Sequence, residues 1–348
     1  MKPAARRFIF ALALVGLSAP DASAQLPGAT GKLEATPPAG SAGLFVGVSR
    51  PASVPPAAPG AVWAPDDAIL LAHVFVVEYG LIPPGNCVVA IDAVPRAAAS
   101  VTRLNDLRTA GATFINTTQA DLTRAIRDLS AVAARAGRNP RPTTLTFAAF
   151  GFGGADANIP FFAPSDADLG LLRARGLSLS QLRADMARSA ATHRLVFWDA
   201  SLDRSFPNAV LPAADRASAA AIQKFRQAIV RGRRKEALIT GFELGESSFQ
   251  VADARGGLGL TAWGFAAALA LPATDANGDG VLTLAEVTAR ANANIQAILE
   301  AERQKLPGRP VLKQPVRITA SPATLNLPLA RTTPTGAAPG PGLGGVAG

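Results

Sequence analysis

The chain has 348 residues, 49% of them hydrophobic and 17% charged, with a formal net charge of +9. That length suits one large α/β domain or two small ones. A lone cysteine, Cys87, excludes an internal disulfide, and beyond the amino terminus no segment approaches the roughly 20 apolar residues of a membrane helix.

At the amino terminus Lys2, Arg6 and Arg7 precede an apolar core from Phe8 to Leu17, and Ala22-Ser23-Ala24 offers a small-residue cleavage site before Gln25. This order predicts a secretory signal peptide over residues 1–24 and an exported protein, periplasmic or extracellular. The core is too short for a membrane anchor, and no cysteine follows the cleavage point to carry a lipid. Three basic residues and Asp21 lie in this segment, so the mature chain carries +7. Residues 25–42, rich in Pro, Gly and Ala, read as a flexible linker.

Gly43 to Ser49 is the first expected strand. Asp66 is placed to cap a helix running to Tyr79 and closed by Gly80. Cys87 to Ile91 reads as the second strand, with Cys87 a small buried thiol. Ala97 to Thr109 reads as a helix and Ala112 to Asn116 as a short edge strand. Thr118 opens a helix whose Leu122, Ile126, Leu129 and Val132 recur on one face.

Thr143 to Phe150 is an apolar run that stops at Gly151-Phe152-Gly153-Gly154, before a long loop containing Phe162-Ala163-Pro164-Ser165-Asp166. Ser178 to Arg188 predicts a helix. The run His193-Arg194-Leu195-Val196-Phe197-Trp198-Asp199-Ala200-Ser201 reads as a buried parallel strand ending in polar residues. A helix over 213–230, a strand over 237–241 and an apolar helix over 260–271 follow. Strands alternating with helices predict a mostly parallel sheet covered on both faces. From residue 321 onward Pro and Gly accumulate, and 321–348 reads as a disordered tail.

Ligands of open α/β sheets sit beyond the carboxyl ends of the strands, which directs attention to Asp199, Ser201 and the Gly151–Gly154 stretch. A second motif is contiguous. Asp275-Ala276-Asn277-Gly278-Asp279-Gly280-Val281-Leu282-Thr283-Leu284-Ala285-Glu286 matches a twelve-residue EF-hand calcium loop. Asp275, Asn277, Asp279, Thr283 and Glu286 supply side-chain oxygens, Val281 its carbonyl, and Gly280 the sharp turn. With three carboxylates the loop is expected to bind Ca2+ weakly and to serve stability. The basic cluster Arg231-Gly232-Arg233-Arg234-Lys235 has no interleaved aromatics, so it predicts a solvated loop and no nucleic-acid partner.

The order of these parts over roughly 43–317 resembles the caspase-like cysteine peptidases, the bacterial metacaspase relatives in particular. Asp66-Asp67-Ala68, Thr118-Gln119-Ala120-Asp121-Leu122, Phe162-Ala163-Pro164-Ser165-Asp166 and Gly176-Leu177-Ser178-Leu179-Ser180-Gln181-Leu182 are similar to that family, as is an acidic loop followed by Gln314-Pro315. The resemblance implies a caspase-like domain over 43–320. It also implies a catalytic His within Ser-Gly-His-Gly and a Cys within Asp-Ala-Cys. Here those motifs read Phe150-Gly151-Phe152-Gly153 and Asp199-Ala200-Ser201. Phenylalanine moves no proton, and a serine hydroxyl needs an adjacent base. Of the two histidines, His73 lies within the first helix and His193 about eight residues of strand from Ser201.

The resemblance further implies oxyanion-type amides at Gly153 and Ser201, and an acidic pocket residue at Asp199 for a basic side chain; a strand-end Asp satisfied by nearby amides is the plainer alternative. Three readings follow. The first is an exported pseudopeptidase that binds a protein or peptide partner through Arg or Lys. The second is a hydrolase using Ser201 with an unrecognised base such as Asp166 or Asp168. The third is a calcium-stabilised scaffold.

Overall fold

The computed structural model describes residues 30–33, 36–56, 60–135, 142–156, 159–201, 226–231, 235–241, 250–251, 258–305 and 316–332. The signal segment 1–24, most of the helix expected at 213–230, and Gly232 to Arg234 lie outside these residues.

In chain order the strands are β1 (Thr30–Gly31), β2 (Ala42–Gly47), β3 (Cys87–Ile91), β4 (Thr113–Ile115), β5 (Thr144–Asp156), β6 (Ile159–Phe162) and β7 (Leu177–Ser178). They continue as β8 (His193–Ser201), β9 (Glu236–Thr240), β10 (Gln250–Val251), β11 (Leu258–Gly259), β12 (Val281–Thr283), β13 (Arg317–Ala320) and β14 (Pro328–Thr332). The α-helices are α1 (Ala64–His73), α2 (Ala98–Ala110), α3 (Gln119–Arg135), α4 (Leu172–Arg175), α5 (Leu179–Met186), α6 (226–231), α7 (Leu260–Ala270), α8 (Leu284–Lys305) and α9 (Pro322–Leu325).

The central sheet runs β13-β9-β8-β5-β2-β3-β4. From β9 to β4 every pairing is parallel, and β13 closes the other edge antiparallel. This is a mixed, mostly parallel α/β sheet, and β4 is the edge strand its position in the sequence suggested. Its strands are apolar on both faces because helices cover both. Leu195 and Phe197 of β8 pack with α1, α7 and α8, while Val196 and Trp198 pack with α3 and α5.

The first helix differs from expectation. It begins at Ala64, where Pro65 occupies a first-turn position that needs no amide hydrogen, and after His73 it widens into a π-helical turn, Val74–Glu78. Asp66 is therefore inside the helix, not its cap. The widened turn places Phe75 between Phe45 (5.8 Å between ring centroids), Phe197 (5.9 Å) and Phe265 (6.2 Å). Phe197 and Phe265 themselves meet edge-on at 4.9 Å. Edge-to-face aromatic packing adds to burial, so this quartet ties α1 and α7 to β2 and β8.

Two further corrections concern segments expected to be irregular. β5 does not stop at Phe150 but runs on to Asp156, leaving the main sheet to pair with β6, which pairs in turn with β7. And the ends of the domain extend beyond 43–320. β14, inside the expected tail, lies between β1, inside the expected linker, and β12. Leu329 and Ala330 of β14 are fully buried, which explains how a Pro-flanked segment holds a strand.

Phe75→Ala is expected to cost about 3–5 kcal/mol of stability, the usual range for emptying a buried phenylalanine site. Urea unfolding of the purified protein measures it, and a loss below about 1 kcal/mol would contradict the central place given to this ring.

Candidate functional site

The carboxyl edge of the sheet is built by β5 and β8. Their register pairs Thr144 with His193 at one end and Phe152 with Ser201 at the other. The two positions expected to face each other are thus direct neighbours on adjacent strands, about 4.8 Å apart by ordinary strand spacing. Phe152 is 3% exposed and belongs to a small apolar cluster with Phe161, Ala163, Ala167 and Leu172. Where a proton-carrying residue was implied by resemblance, the side chain is a packing element of the β5–β6 extension.

Carboxylates organise the rest of this edge by holding backbone amides. Asp92, just after β3, accepts from Ser49 N–H (2.7 Å), the Ser49 hydroxyl (3.0 Å) and Arg50 N–H (3.0 Å). Asp66 accepts from the amides of Arg96 (3.1 Å) and Ala97 (2.9 Å), fixing the start of α2 from the neighbouring helix. Asp67 accepts from Gly259 N–H at 2.6 Å, across 192 residues of chain.

Asp67 and Asp199 form the electrostatic centre. Asp67 is 2% exposed and Asp199 6%. Burial pushes the Asp67 carboxyl well above its ordinary range, the charge of Asp199 pushes it further, the Gly259 amide opposes this, and Asp66 adds to it. Asp199 and Thr261 lie against Gly241, just past β9, where a β-carbon would meet the Thr261 hydroxyl and come within 3.0 Å of the Asp199 carboxyl. Two buried acids on neighbouring elements resist ionising together, and a cation placed between them would relieve that conflict. Sequence reasoning found Asp199 but passed over Asp67. Its sole local signal was the Asp66-Asp67 doublet, and its partners come from β8 and from the β11–α7 junction.

The other acids considered are committed elsewhere. Asp166 accepts from Gln119 N–H at 2.9 Å, at the start of α3, and Asp168 from Gly170 N–H at 2.8 Å. His73 bridges Glu78 (3.0 Å) in the π-helical turn and Asp106 (3.2 Å) on α2. Burial raises the Cys87 thiol to about 12, as befits an inert packed side chain.

The acidic loop 275–286 closes on itself. Asp275 accepts from Gly278 N–H (2.8 Å) and Gly280 N–H (2.9 Å), and Asn277 from Asp279 N–H (2.9 Å). Glu286 reaches across the loop, accepting from Ala276 N–H through one oxygen and from the Thr283 amide and hydroxyl through the other. Gly280 has φ +82°, the left-handed turn that motif requires. Leu282 is fully buried and anchors the loop in the core. Among the described residues no three His, Cys, Asp or Glu converge as a metal-holding group. In the loop the acids are turned onto its own amides, and the backbone carries the shape.

Scanned against models of protein families, the chain matches none, and no curated protein matches it. What the molecule defines by itself is a class: an α/β protein with a mixed, mostly parallel sheet and buried carboxylates at that sheet's carboxyl edge. No described helix is long and apolar enough to cross a membrane.

At the opposite end of β8, His193 is 4% exposed and its ring meets the Thr192 hydroxyl at 3.0 Å. Burial, followed by the positive charge of Lys235, lowers it to about 4 against the Ala323 backbone bond that favours the charged form. The folded state therefore prefers neutral His193. Its contribution is complete above pH 6.5 and is lost as pH falls towards 4, on the order of 2 kcal/mol once solvent screening is allowed for. Urea midpoints across that window should fall for the wild type and fall less for His193→Gln. Parallel curves would show that His193 is not the group responsible.

Proposed function

We propose that the protein is an exported, caspase-like pseudopeptidase: a non-catalytic module that binds a protein or peptide partner through an Arg or Lys side chain. The observation that carries this is that Asp199, buried on β8 two residues before Ser201, and the buried Asp67 act on each other electrostatically, while Phe and Ser stand at the paired positions 152 and 201. The site keeps two buried acids that a cation would draw into their charged form, and it has no proton carrier at Phe152. The caspase-like identity of the fold rests on the resemblance of the motifs. The juxtaposition of Phe152 and Ser201 and the α/β architecture support it. The amides of Gly153 and Ser201 would then border the bound main chain.

The hydrolase reading needs a base for Ser201, and the two loop acids considered for it are each held by a backbone amide. We therefore favour binding over turnover. Within this reading the loop 275–286 takes a structural Ca2+ through Asp275, Asn277, Asp279, Val281, Thr283 and Glu286. The left-handed Gly280 and the buried Leu282 support it. The scaffold reading is the limit in which this ion is the sole ligand.

Calorimetry with an amino- and carboxyl-blocked arginine peptide tests the binding reading. A cation lowers the affinity of Asp67 for its proton, so binding should release protons and strengthen as pH rises. Asp199→Asn and Asp67→Asn should each weaken binding at least tenfold without unfolding the protein. Asp67→Asn should raise stability at neutral pH, because it removes an acid whose ionisation opposes the fold. No peptide should be cleaved by the wild type. Binding that ignores both substitutions would sink this proposal, and cleavage abolished by Ser201→Ala would replace it with the hydrolase.

Calcium should stabilise the fold by mass action, by about 1.4 kcal/mol at ten times Kd, and so raise the melting temperature, and Glu286→Gln should remove that gain. A melting curve unchanged through millimolar calcium would dismiss the calcium loop. Magnesium, which demands a tighter octahedron, should not substitute.

A further inference from the structure

EF-hand-type loops carry a short strand that needs a neighbour, since an isolated strand leaves its amides and carbonyls unpaired. In this chain that strand is β12, and its neighbour is β14, from the far end of the same domain. Val281 pairs with Arg331 and Leu282 with Ala330. β14, with Leu327 just before it, then grips β12 at both of its ends. Thr332 N–H donates to the Gly280 carbonyl at 3.0 Å, and Leu284 N–H donates to the Leu327 carbonyl at 2.9 Å.

The contact that matters most is a side chain. The Thr332 hydroxyl donates to Oδ2 of Asp275 at 3.0 Å, the same oxygen that accepts from Gly280 N–H. Asp275 is the first ligand position of the loop. Two donors on Oδ2 set the rotation of the carboxylate and leave its other oxygen, Oδ1, on the side of Gly278. A ligand so oriented loses less freedom when an ion arrives, which is how supporting hydrogen bonds raise metal affinity.

β14 also holds the amino-terminal strand. Thr30 pairs with Thr332 and Gly31 with Arg331, and the Thr30 hydroxyl meets Tyr79 Oη at 2.9 Å. The loop, the last described strand and the first described strand are therefore one three-stranded sheet. Its inner residues Leu282, Leu329 and Ala330 are fully buried in the main core.

We propose that β14 is the missing half of the calcium site: Thr332 is a positioning residue for Asp275, and calcium in the loop locks the strands β14 and β1 onto the domain. This rests on the calcium reading of loop 275–286. By linkage, whatever β14 contributes to calcium affinity, calcium returns to the docking of β14 and β1. In calcium-poor medium the strap is held by its own pairing and burial alone. In calcium-rich medium it gains the coupling free energy between ion and strap.

The test is calorimetric titration of the full chain with CaCl2, together with amide hydrogen exchange over Leu329 to Thr332. Thr332→Val, which keeps shape and removes the donor, should weaken calcium binding about tenfold, the scale of a hydrogen bond to a charged group. Its melting temperature in chelator should stay near that of the wild type. Thr332→Ser should restore the affinity to within about twofold. Exchange at Leu329 to Thr332 should slow at least tenfold on adding calcium, and Glu286→Gln should abolish that slowing. Wild-type calcium binding with either a normal Thr332→Val affinity or calcium-indifferent exchange overturns this inference alone. An absence of calcium binding at millimolar concentration overturns the loop reading and this inference with it.

Discussion

The parallel ladder between β5 and β8 is the constraint from which the rest of the molecule follows. Nine consecutive pairs, from Thr144 and His193 to Phe152 and Ser201, lock the two strands in one register. Side chains alternate along each strand, so a slip of one residue would carry Phe197 to the face of α3 and α5 and Trp198 into the aromatic cluster beneath α1. Neither face tolerates that exchange, because each is filled. Phe45, Phe75, Phe197 and Phe265 interlock on one, and Phe162 meets Trp198 at 6.4 Å on the other. Core packing therefore decides which residues reach the carboxyl edge, and in which direction they point.

That edge shows two different uses of buried polar chemistry. Asp92 and Asp66 are each satisfied by two or more backbone donors and act as struts for the loops after β2 and before α2. Such acids repay their burial locally. Asp67 has the Gly259 amide on its side and burial, Asp199 and Asp66 against it. An acid whose environment opposes its charge costs stability at neutral pH, and cores shed such groups unless something else uses them. This imbalance distinguishes Asp67 from the struts around it.

What was legible in the sequence depended on the range of the interaction that determines it. The buried strands were readable because covering both faces makes each an unbroken apolar run, as in Leu195 to Trp198. The left-handed turn at Gly280 and the buried anchor Leu282 were readable because the pattern over 275–286 is contiguous. The continuation of β5 was not, since Gly151-Phe152-Gly153-Gly154 reads locally as a strand breaker, and only pairing with β6 and β8 makes it a strand. Asp66 read as a helix cap because capping is a local rule. Its real partners, Arg96 and Ala97, come from the next helix. β14 was hidden by composition. Pro328 and the threonines resemble a tail until β1 and β12 are placed on either side.

Phe152 has a packing role of its own. A histidine there would sit where Phe161, Ala163, Ala167 and Leu172 now exclude water, and an imidazole in that setting loses hydration without gaining a partner from those side chains. Phenylalanine turns the same position into the link between the main sheet and the β5–β6–β7 extension. The ring adds apolar contact and moves no proton. Because the extension packs through this ring, placing a polar residue at 152 alone works against the fold. A proton-transfer pair at this edge would require the small apolar cluster to be rebuilt along with the two strand-end residues.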